Sequence, residues 1–310
     1  MGGRRDRAVP ELQLPAATVD LSRLPRPVIV EQPGAEAERQ ALIDALTAHF
    51  PAFSALVESD PAIKQAEAFA WRLTVLRQQF DDAAVQLLLA YASGANLDHL
   101  GAYVGVTRLV VSPADPQTGA AAVLESDDDL RQRIALAPAS FSVAGPQAAY
   151  VFYARAADAR VADATAISPA PREVLVTVLA AAGTGTGAAP PDLIAAVEAI
   201  VNSKPVRPLT DLVTVQSAAI VNFAVEAELT LFAGPDAALV TAAARAALDR
   251  YLARSRRLGR DITISAIIGA LVVEGVQRVR LISPAVDVVC DATQAAHCTE
   301  ISITVAGYGD

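Results

Sequence analysis

The chain has 310 residues, of which 53% are hydrophobic and 19% charged, and its formal net charge is -9. The length allows two or three modest domains, and the acidic balance argues against a nucleic-acid binder or a protein held on anionic lipid, since both need clustered Lys and Arg. Two cysteines make no disulfide framework and suggest a reducing compartment. We expect neither a signal peptide nor a membrane span.

Residues 1–34 are rich in proline and charge, with prolines at 25, 27 and 33. Proline fixes φ and removes an N–H donor, so this stretch predicts an extended arm without a core of its own. Such arms usually gain order only against a partner.

Residues 35–108 are predicted to be helical, with one long helix that ends at Gly94. Its apolar side chains recur at steps of three and four residues, which is typical of a heptad seam. The seam residues are Ala66, Phe69, Leu73, Leu76, Phe80, Ala83 and Leu87. The helix could be buried in its own domain or could bundle with helices of other chains. The second interpretation is favoured, because only one shorter helix is nearby to cover the seam.

Residues 109–218 are predicted to form a first α+β domain. A linker at 109–125 leads to a helix capped by Ser126, with three aspartates at the positive end of its dipole. The order α-β-β-α-β then indicates a small ferredoxin-like sandwich. Residues 219–310 predict a second α+β unit, with a short helix capped by Ser265. The whole chain is therefore predicted to be α+β: an arm, a helical bundle segment and two small α/β sandwich-like units.

No cluster of catalytic residues stands out in the sequence. Asp98 and His99 are adjacent, and neighbours on a helix point about 100° apart, so they are not expected to form a dyad. Cys290, His297 and Cys298 lie close together; two unlinked thiols are favoured, with a disulfide or a metal site as alternatives.

The arginine cluster at 250–260 fits a solvated helix end, with a protein interface or a nucleic-acid contact as alternatives.

The stretch "GTGTG" places Gly183, Gly185 and Gly187 between a predicted strand and a predicted helix. It matches neither the dinucleotide fingerprint nor the P-loop, and Pro190 and Pro191 lack the N–H groups that hold a phosphate. We interpret it as a flexible connection that could touch a neighbouring chain. A soluble enzyme with this loop as its cofactor site is the alternative hypothesis; we expect no cofactor.

Several stretches, in order along nearly the whole chain, resemble the baseplate J-like proteins of contractile phage tails and related injection machines. They include "DLSRLPRPVIVE", "ESDDDLRQRI", "VRPLTDLVTVQSAAIV", "RLGRDITISAI" and "VEGVQRVRL". The resemblance implies a non-enzymatic part of the virion tail baseplate, assembled in the host bacterial cytoplasm, that forms a wedge core, joins a ring around the central spike and rearranges on sheath contraction.

The partners implied by the resemblance are a second copy of the chain and a smaller tail protein within a wedge, then neighbouring wedges, the sheath initiator and the central spike or hub. No catalytic, cofactor or metal residue is carried over from the family. The seam becomes the candidate wedge bundle, and the arm becomes a candidate clamp on neighbours.

Overall fold

The computed structural model describes residues 21, 24–53, 57–142, 145–181, 185–234 and 236–309. Most of the predicted arm and Gly183 of the glycine stretch lie outside these residues. The chain divides into two compact units, one within residues 1–107 and 126–134 and the other within 108–125 and 135–310. The described residues are α+β, as predicted. The predicted domain boundaries at 34, 108 and 218 stay predictions.

The first unit is helical. Its elements are α1 (Ala35–His49), α2 (Pro61–Val85), α3 (Gly94–Tyr103) and most of α4 (Asp127–Leu136). The start of α2 follows from local sequence, since the Asp60 side chain accepts a hydrogen bond from the Ala62 amide and Pro61 occupies the first turn. Ser126 caps α4 as predicted, accepting from the Asp129 amide and donating to its carboxylate.

The predicted end of the long helix at Gly94 is wrong, because α2 ends at Val85. The chain then turns through residues 86–92. The Gln86 side-chain oxygen accepts a hydrogen bond from the Ser93 amide, and the Arg131 guanidinium donates to the carbonyls of Leu89 and Ala92. These bonds satisfy backbone groups that a longer helix would have paired internally.

The segment predicted as a linker at 109–125 instead holds two short antiparallel strands, β1 (Val110–Ser112) and β2 (Val123–Leu124). The Arg108 guanidinium and the Glu125 amide close the base of this hairpin by donating to the carbonyls of Glu125 and Leu109, respectively. A short 3-10 helix (Ala137–Phe141) follows α4 directly.

The central domain, which we define as α5 to β5, follows the predicted order. Its elements are α5 (Gln147–Ala157), β3 (Val161–Ile167), β4 (Glu173–Ala180), α6 (Pro191–Val201) and β5 (Leu212–Ser217). Strand β4 is in the middle, antiparallel to β3 and parallel to β5. Residues Val176 and Val178 of β4 are buried in one core with Tyr150 of α5 and Leu193 of α6. Because α6 joins two neighbouring strands, the ferredoxin-like detail is not confirmed.

The C-terminal domain, which we define as β6 to β8, contains β6 (Ala219–Phe232), α7 (Ala237–Ser255), α8 (Ile264–Leu271), β7 (Val276–Ser283) and β8 (Gln294–Gly309). The long strand β6 lies between antiparallel β7 and parallel β8. Leu229 and Leu231 of β6 are buried with Leu248 of α7 and Ile267 of α8. Each is 0% exposed, so these side chains supply much of the apolar burial that stabilises the domain.

The predicted cap of α8 is wrong. The N-cap is Thr263, whose side-chain oxygen accepts a hydrogen bond from the Ala266 amide, and Ser265 lies inside the helix. Asp287 explains the earlier start, because its carboxylate accepts from the Ile264 amide in the first turn. Among the described residues, none of the helices is both long and apolar enough to span a bilayer.

Candidate assembly surface

Helix α2 carries a row of large apolar side chains that its own unit leaves open. Phe69, Leu76 and Phe80 are 62%, 47% and 60% exposed. At about 100° per residue these three positions fall within roughly 40° of one another around the helix. We call them the α2 stripe. Exposed aromatic and leucine side chains in a continuous row are typical of surfaces that bind a partner.

A neighbouring face of α2 is covered by its own chain. Ile63, Ala66 and Ala70 are buried, and Glu38 of α1 forms an ion pair with Arg77, with the Glu38 oxygen 2.8 Å from Nε. Ala70 lies about 100° and Ala66 about 60° around the helix from Phe69, so the covered face adjoins the α2 stripe without including it. Helix α1 therefore occupies one face and, among the described residues of this unit, the stripe stays exposed.

The seven predicted seam residues therefore do not share one environment. Ala66 is buried, and Leu73 is partly covered. Ala83 is exposed beside the α2 stripe, whereas Leu87 is exposed but follows the end of the helix. A strict heptad seam straddles two faces here because the 3.5-residue repeat of a heptad differs from the 3.6-residue period of the helix. That the seam residues form a partner interface stays a prediction.

Residues 24–30 of the predicted arm lie against α2. The buried Asp81 carboxylate accepts hydrogen bonds from the amides of Ile29 and Val30 at 2.9 and 3.1 Å, and from the Arg26 guanidinium at 2.9 Å. The Tyr91 hydroxyl donates to the Leu24 carbonyl. This part of the arm is thus ordered by its own chain, which differs from the expectation that it needs a partner.

The electrostatics of Asp81 follow from these contacts. The two backbone amides, and then Arg26, favour the ionised carboxylate and hold the pKa of Asp81 below its ordinary value, although burial acts in the opposite direction. The Asp81 carboxylate thus holds residues 26–30 of the arm against the last turns of α2.

An open depression of about 590 Å³ lies beside the end of α2. Its lining includes Leu87, His99, Leu100 and Tyr103. Asp98, the neighbour of His99, does not line it. The depression extends the apolar surface beyond the helix rather than enclosing a small molecule.

We call the described part of the glycine stretch, residues 185–187, the glycine turn. Gly185 and Gly187 have φ values of 94° and 104°, and the Gly187 carbonyl accepts a hydrogen bond from the Ala180 amide. The Ala189 amide donates to the Ser217 hydroxyl, and Pro190 and Pro191 have no N–H. At positions 189–191 the amides are therefore already used or missing, which does not favour a phosphate site there.

The two cysteines are free thiols; Cys290 is buried and Cys298 is partly exposed. Burial is the main cause that raises the pKa of both thiols, and burial, followed by the charge of Arg256, lowers the pKa of His297. Within the described ranges, no group of three or more His, Cys, Asp or Glu side chains is placed to hold a metal ion.

The arginines at 250–260 differ in exposure to solvent. Arg254 and Arg260 are exposed, whereas Arg256 is partly covered.

Comparison with known proteins gives these features a context. Three family models match in order: the Baseplate J-like N-terminal domain over residues 58–115, the Baseplate J-like central domain over 142–217 and the Baseplate J-like protein C-terminal domain over 223–304. The chain is also 43% identical over 301 residues to "Baseplate protein J" of Escherichia phage P2, covering 93% of this chain and 98% of that protein. The chain belongs to the baseplate J-like family.

Proposed function

We propose that this chain forms the core of a baseplate wedge and that the α2 stripe is the surface around which the wedge assembles. Family membership makes the chain a structural component of the virion tail baseplate, in contact with other baseplate proteins. The finer proposal names a second copy of the chain and a smaller tail protein as the partners that bundle with α2. Neighbouring wedges, the sheath initiator and the central spike or hub are the proposed outer partners.

The observation that carries the proposal is the exposure of Phe69, Leu76 and Phe80 on one side of a 25-residue helix. A helix of this length spans about 37 Å, enough for several turns of contact with a partner helix. The face packed against α1 lies up to about 100° around the helix from the stripe, so a partner can approach the stripe without displacing α1. Burying two phenylalanines and a leucine gives a favourable free energy of association through removal of apolar area from water.

A role in contraction follows as part of the same proposal. Sheath contraction needs a ring that exists in two arrangements, with partners that favour one or the other. In this proposal the bundle on α2 persists, whereas contacts between wedges change. The chain contributes through interfaces rather than through chemistry at a catalytic centre.

The test is co-expression of the chain with small tail proteins encoded in the same genome, followed by affinity purification. We expect the double variant Phe69→Asp plus Phe80→Asp to lose the partner, because two carboxylates would be desolvated, one at each end of the stripe. Leu73 is a poorer target, since it is partly covered by its own chain. The variant should keep its helical circular dichroism spectrum.

Gln79→Asp is the matched control, because Gln79 is an exposed polar residue of the same helix beside Phe80. It should co-purify with the partner as the unchanged chain does. Normal complex formation by the double variant would contradict the proposed bundle. Electron microscopy of the co-expressed tail proteins then shows whether wedges and rings form.

A further inference from the structure

The central and C-terminal domains meet with almost no connecting chain. Strand β5 ends at Ser217 and β6 begins at Ala219, so the single residue Ala218 joins them. Ala218 is 4% exposed, and its amide donates to the Val178 carbonyl at 2.8 Å. A hinge at this position would have to break that hydrogen bond and expose a buried residue.

An apolar cluster lies in the contact between the two domains. Leu179 of β4 is buried with Ala218, Leu258 and Ala295, the last two from the C-terminal domain. The neighbouring residues Val178 and Ala180 belong to the core of the central domain. Strand β4 is therefore covered on both faces, by its own helices on one side and by the C-terminal domain on the other.

Polar contacts fix the alignment of the two domains. The Leu258 amide donates to the Asp163 carboxylate at 3.0 Å, and the Thr165 hydroxyl donates to the Ala292 carbonyl at 2.5 Å. Asp163 and Thr165 both belong to β3, so one strand of the central domain holds two separate segments of the C-terminal domain. Burial raises the pKa of Asp163, and the Leu258 amide, followed by the charges of Arg155 and Arg257, acts in the opposite direction.

The glycine turn takes part in the same contact. Arg256, just after α7, donates from Nη2 to the Gly185 carbonyl at 3.3 Å. A β-carbon at Gly187 would lie 2.7 Å from Arg256 Nη2 and 3.0 Å from Leu179 Cδ1. The absence of a side chain at Gly187 therefore lets the guanidinium approach the turn.

We propose that the central and C-terminal domains form one rigid body, locked by Leu258 against β3 and by Arg256 in the glycine turn. In this arrangement the glycine turn binds the Arg256 guanidinium through the Gly185 carbonyl. Any rearrangement of the protein then has its hinge elsewhere than between β5 and β6. The position of the hinge bears on the proposed baseplate function. The rigid contact between the two domains does not depend on that function.

Hydrogen exchange of the full chain tests the lock directly. The amides of Ala218 and Leu258 should exchange as slowly as amides in the centres of β4 and β6, because they can open only when the domains unfold. Exchange at these two amides faster by on the order of 100-fold would overturn the proposal, since the domains would then part without unfolding.

Substitution of Leu258 in the apolar cluster gives a second test. Leu258→Asp should separate the unfolding of the two domains, whereas Leu239→Asp, at a leucine of α7 that is 71% exposed, should not. Thermal unfolding followed by pulsed hydrogen exchange and mass spectrometry reports on each domain separately. Separate unfolding of the two domains in the unchanged chain would contradict the lock.

The glycine turn provides a test that stands even if Leu258→Asp does not fold. Gly187→Ala and Gly185→Ala both place an alanine at a positive φ, but open space surrounds only the Gly185 position. Adding Arg256→Ala should therefore restore part of the thermal stability lost in Gly187→Ala and none of that lost in Gly185→Ala. If the stability losses of Gly187→Ala and Arg256→Ala were strictly additive, the result would contradict the proposal that the glycine turn binds Arg256.

Discussion

The Arg26 guanidinium lies 2.9 Å from the Asp81 carboxylate, with Nη2 donating to Oδ2. The ion pair links the arm to the last turns of α2 across more than fifty residues of sequence. Arg26 also contacts Asp82, whose side chain is 54% exposed, whereas that of Asp81 is 5% exposed. Of the two carboxylates, only Asp81 also accepts the backbone amides of Ile29 and Val30, so it is the residue that orders the arm.

We predict that Asp81→Ala releases residues 24–30 from α2. The amides of Ile29 and Val30 would lose their acceptor, and their hydrogen exchange should become faster by roughly tenfold or more. Asp82→Ala is the matched control; it removes the more exposed partner of Arg26 and should leave both amides protected. Equal exchange rates in the two variants would show that Asp81 does not hold the arm.

The contribution of Asp81 to stability should depend on pH. Its pKa is lowered in the folded protein, chiefly by the amides of Ile29 and Val30, so its stabilising contribution is complete above about pH 4. The contribution is lost as the pH falls through the lowered pKa. The difference in melting temperature between the unchanged chain and Asp81→Ala should therefore be constant near neutral pH and shrink below pH ~4.

Calorimetry at several pH values measures this difference. The two proteins share all other carboxylates, so their titration cancels to first order in the comparison. A difference that grows towards acid pH would contradict the assignment, because it would require a raised pKa at Asp81.

We predict slow alkylation of both cysteines in the folded protein. Burial raises the pKa of the Cys290 and Cys298 thiols, and the thiolate is the reactive form. Iodoacetamide at pH ~7.5 should modify each at least about tenfold more slowly than in the chain unfolded by guanidinium, with Cys290 slower because it is buried. Mass spectrometry of time points gives both rates, and equal rates in folded and unfolded protein would refute the prediction.

The hydroxyl of Tyr150 should contribute to the stability of the central domain. It donates to the Asp211 carboxylate at 2.8 Å, and Tyr150 is 2% exposed. Burial, followed by this hydrogen bond, raises the pKa of Tyr150. Tyr150→Phe should lower the free energy of unfolding by about 1–3 kcal/mol, because the Asp211 carboxylate loses a charge-assisted hydrogen bond.

Denaturant unfolding of the full chain measures this loss. Tyr308→Phe is the matched control, since Tyr308 is 62% exposed on β8, and its stability should change by less than about 0.5 kcal/mol. An equal change in the free energy of unfolding in the two variants would mean that the hydrogen bond from Tyr150 to Asp211 does not stabilise the domain.

Local signals in the sequence predicted most secondary structure correctly. Alternating and continuous apolar runs identified β3, β4 and β6, and Ser126 was recognisable as the cap of α4. The signals that failed depended on distant partners. Thr263 and Ser265 are both possible caps by residue type, and only the Asp287 carboxylate, which binds the Ile264 amide, explains where α8 begins.

The same division applies to the candidate assembly surface. The spacing of Phe69, Leu76 and Phe80 already put these residues on one side of a helix, because that depends only on the helical period. Whether Ala66 faces its own chain or a partner is decided by how α1 packs, and the end of α2 depends on Gln86 and on the distant Arg131.

The amino-acid sequence by itself determined the α+β class, the apolar row on the long helix and the family resemblance, since each rests on local periodicity or on ordered motifs. Only the tertiary structure decided that the Asp81 carboxylate accepts the amide of Ile29 in the arm and that Arg256 donates to the Gly185 carbonyl. The physical reason is that these contacts join groups far apart in the chain. Residue type gives a side chain its charge and hydrogen-bonding capacity, but folding alone selects the partner that satisfies it.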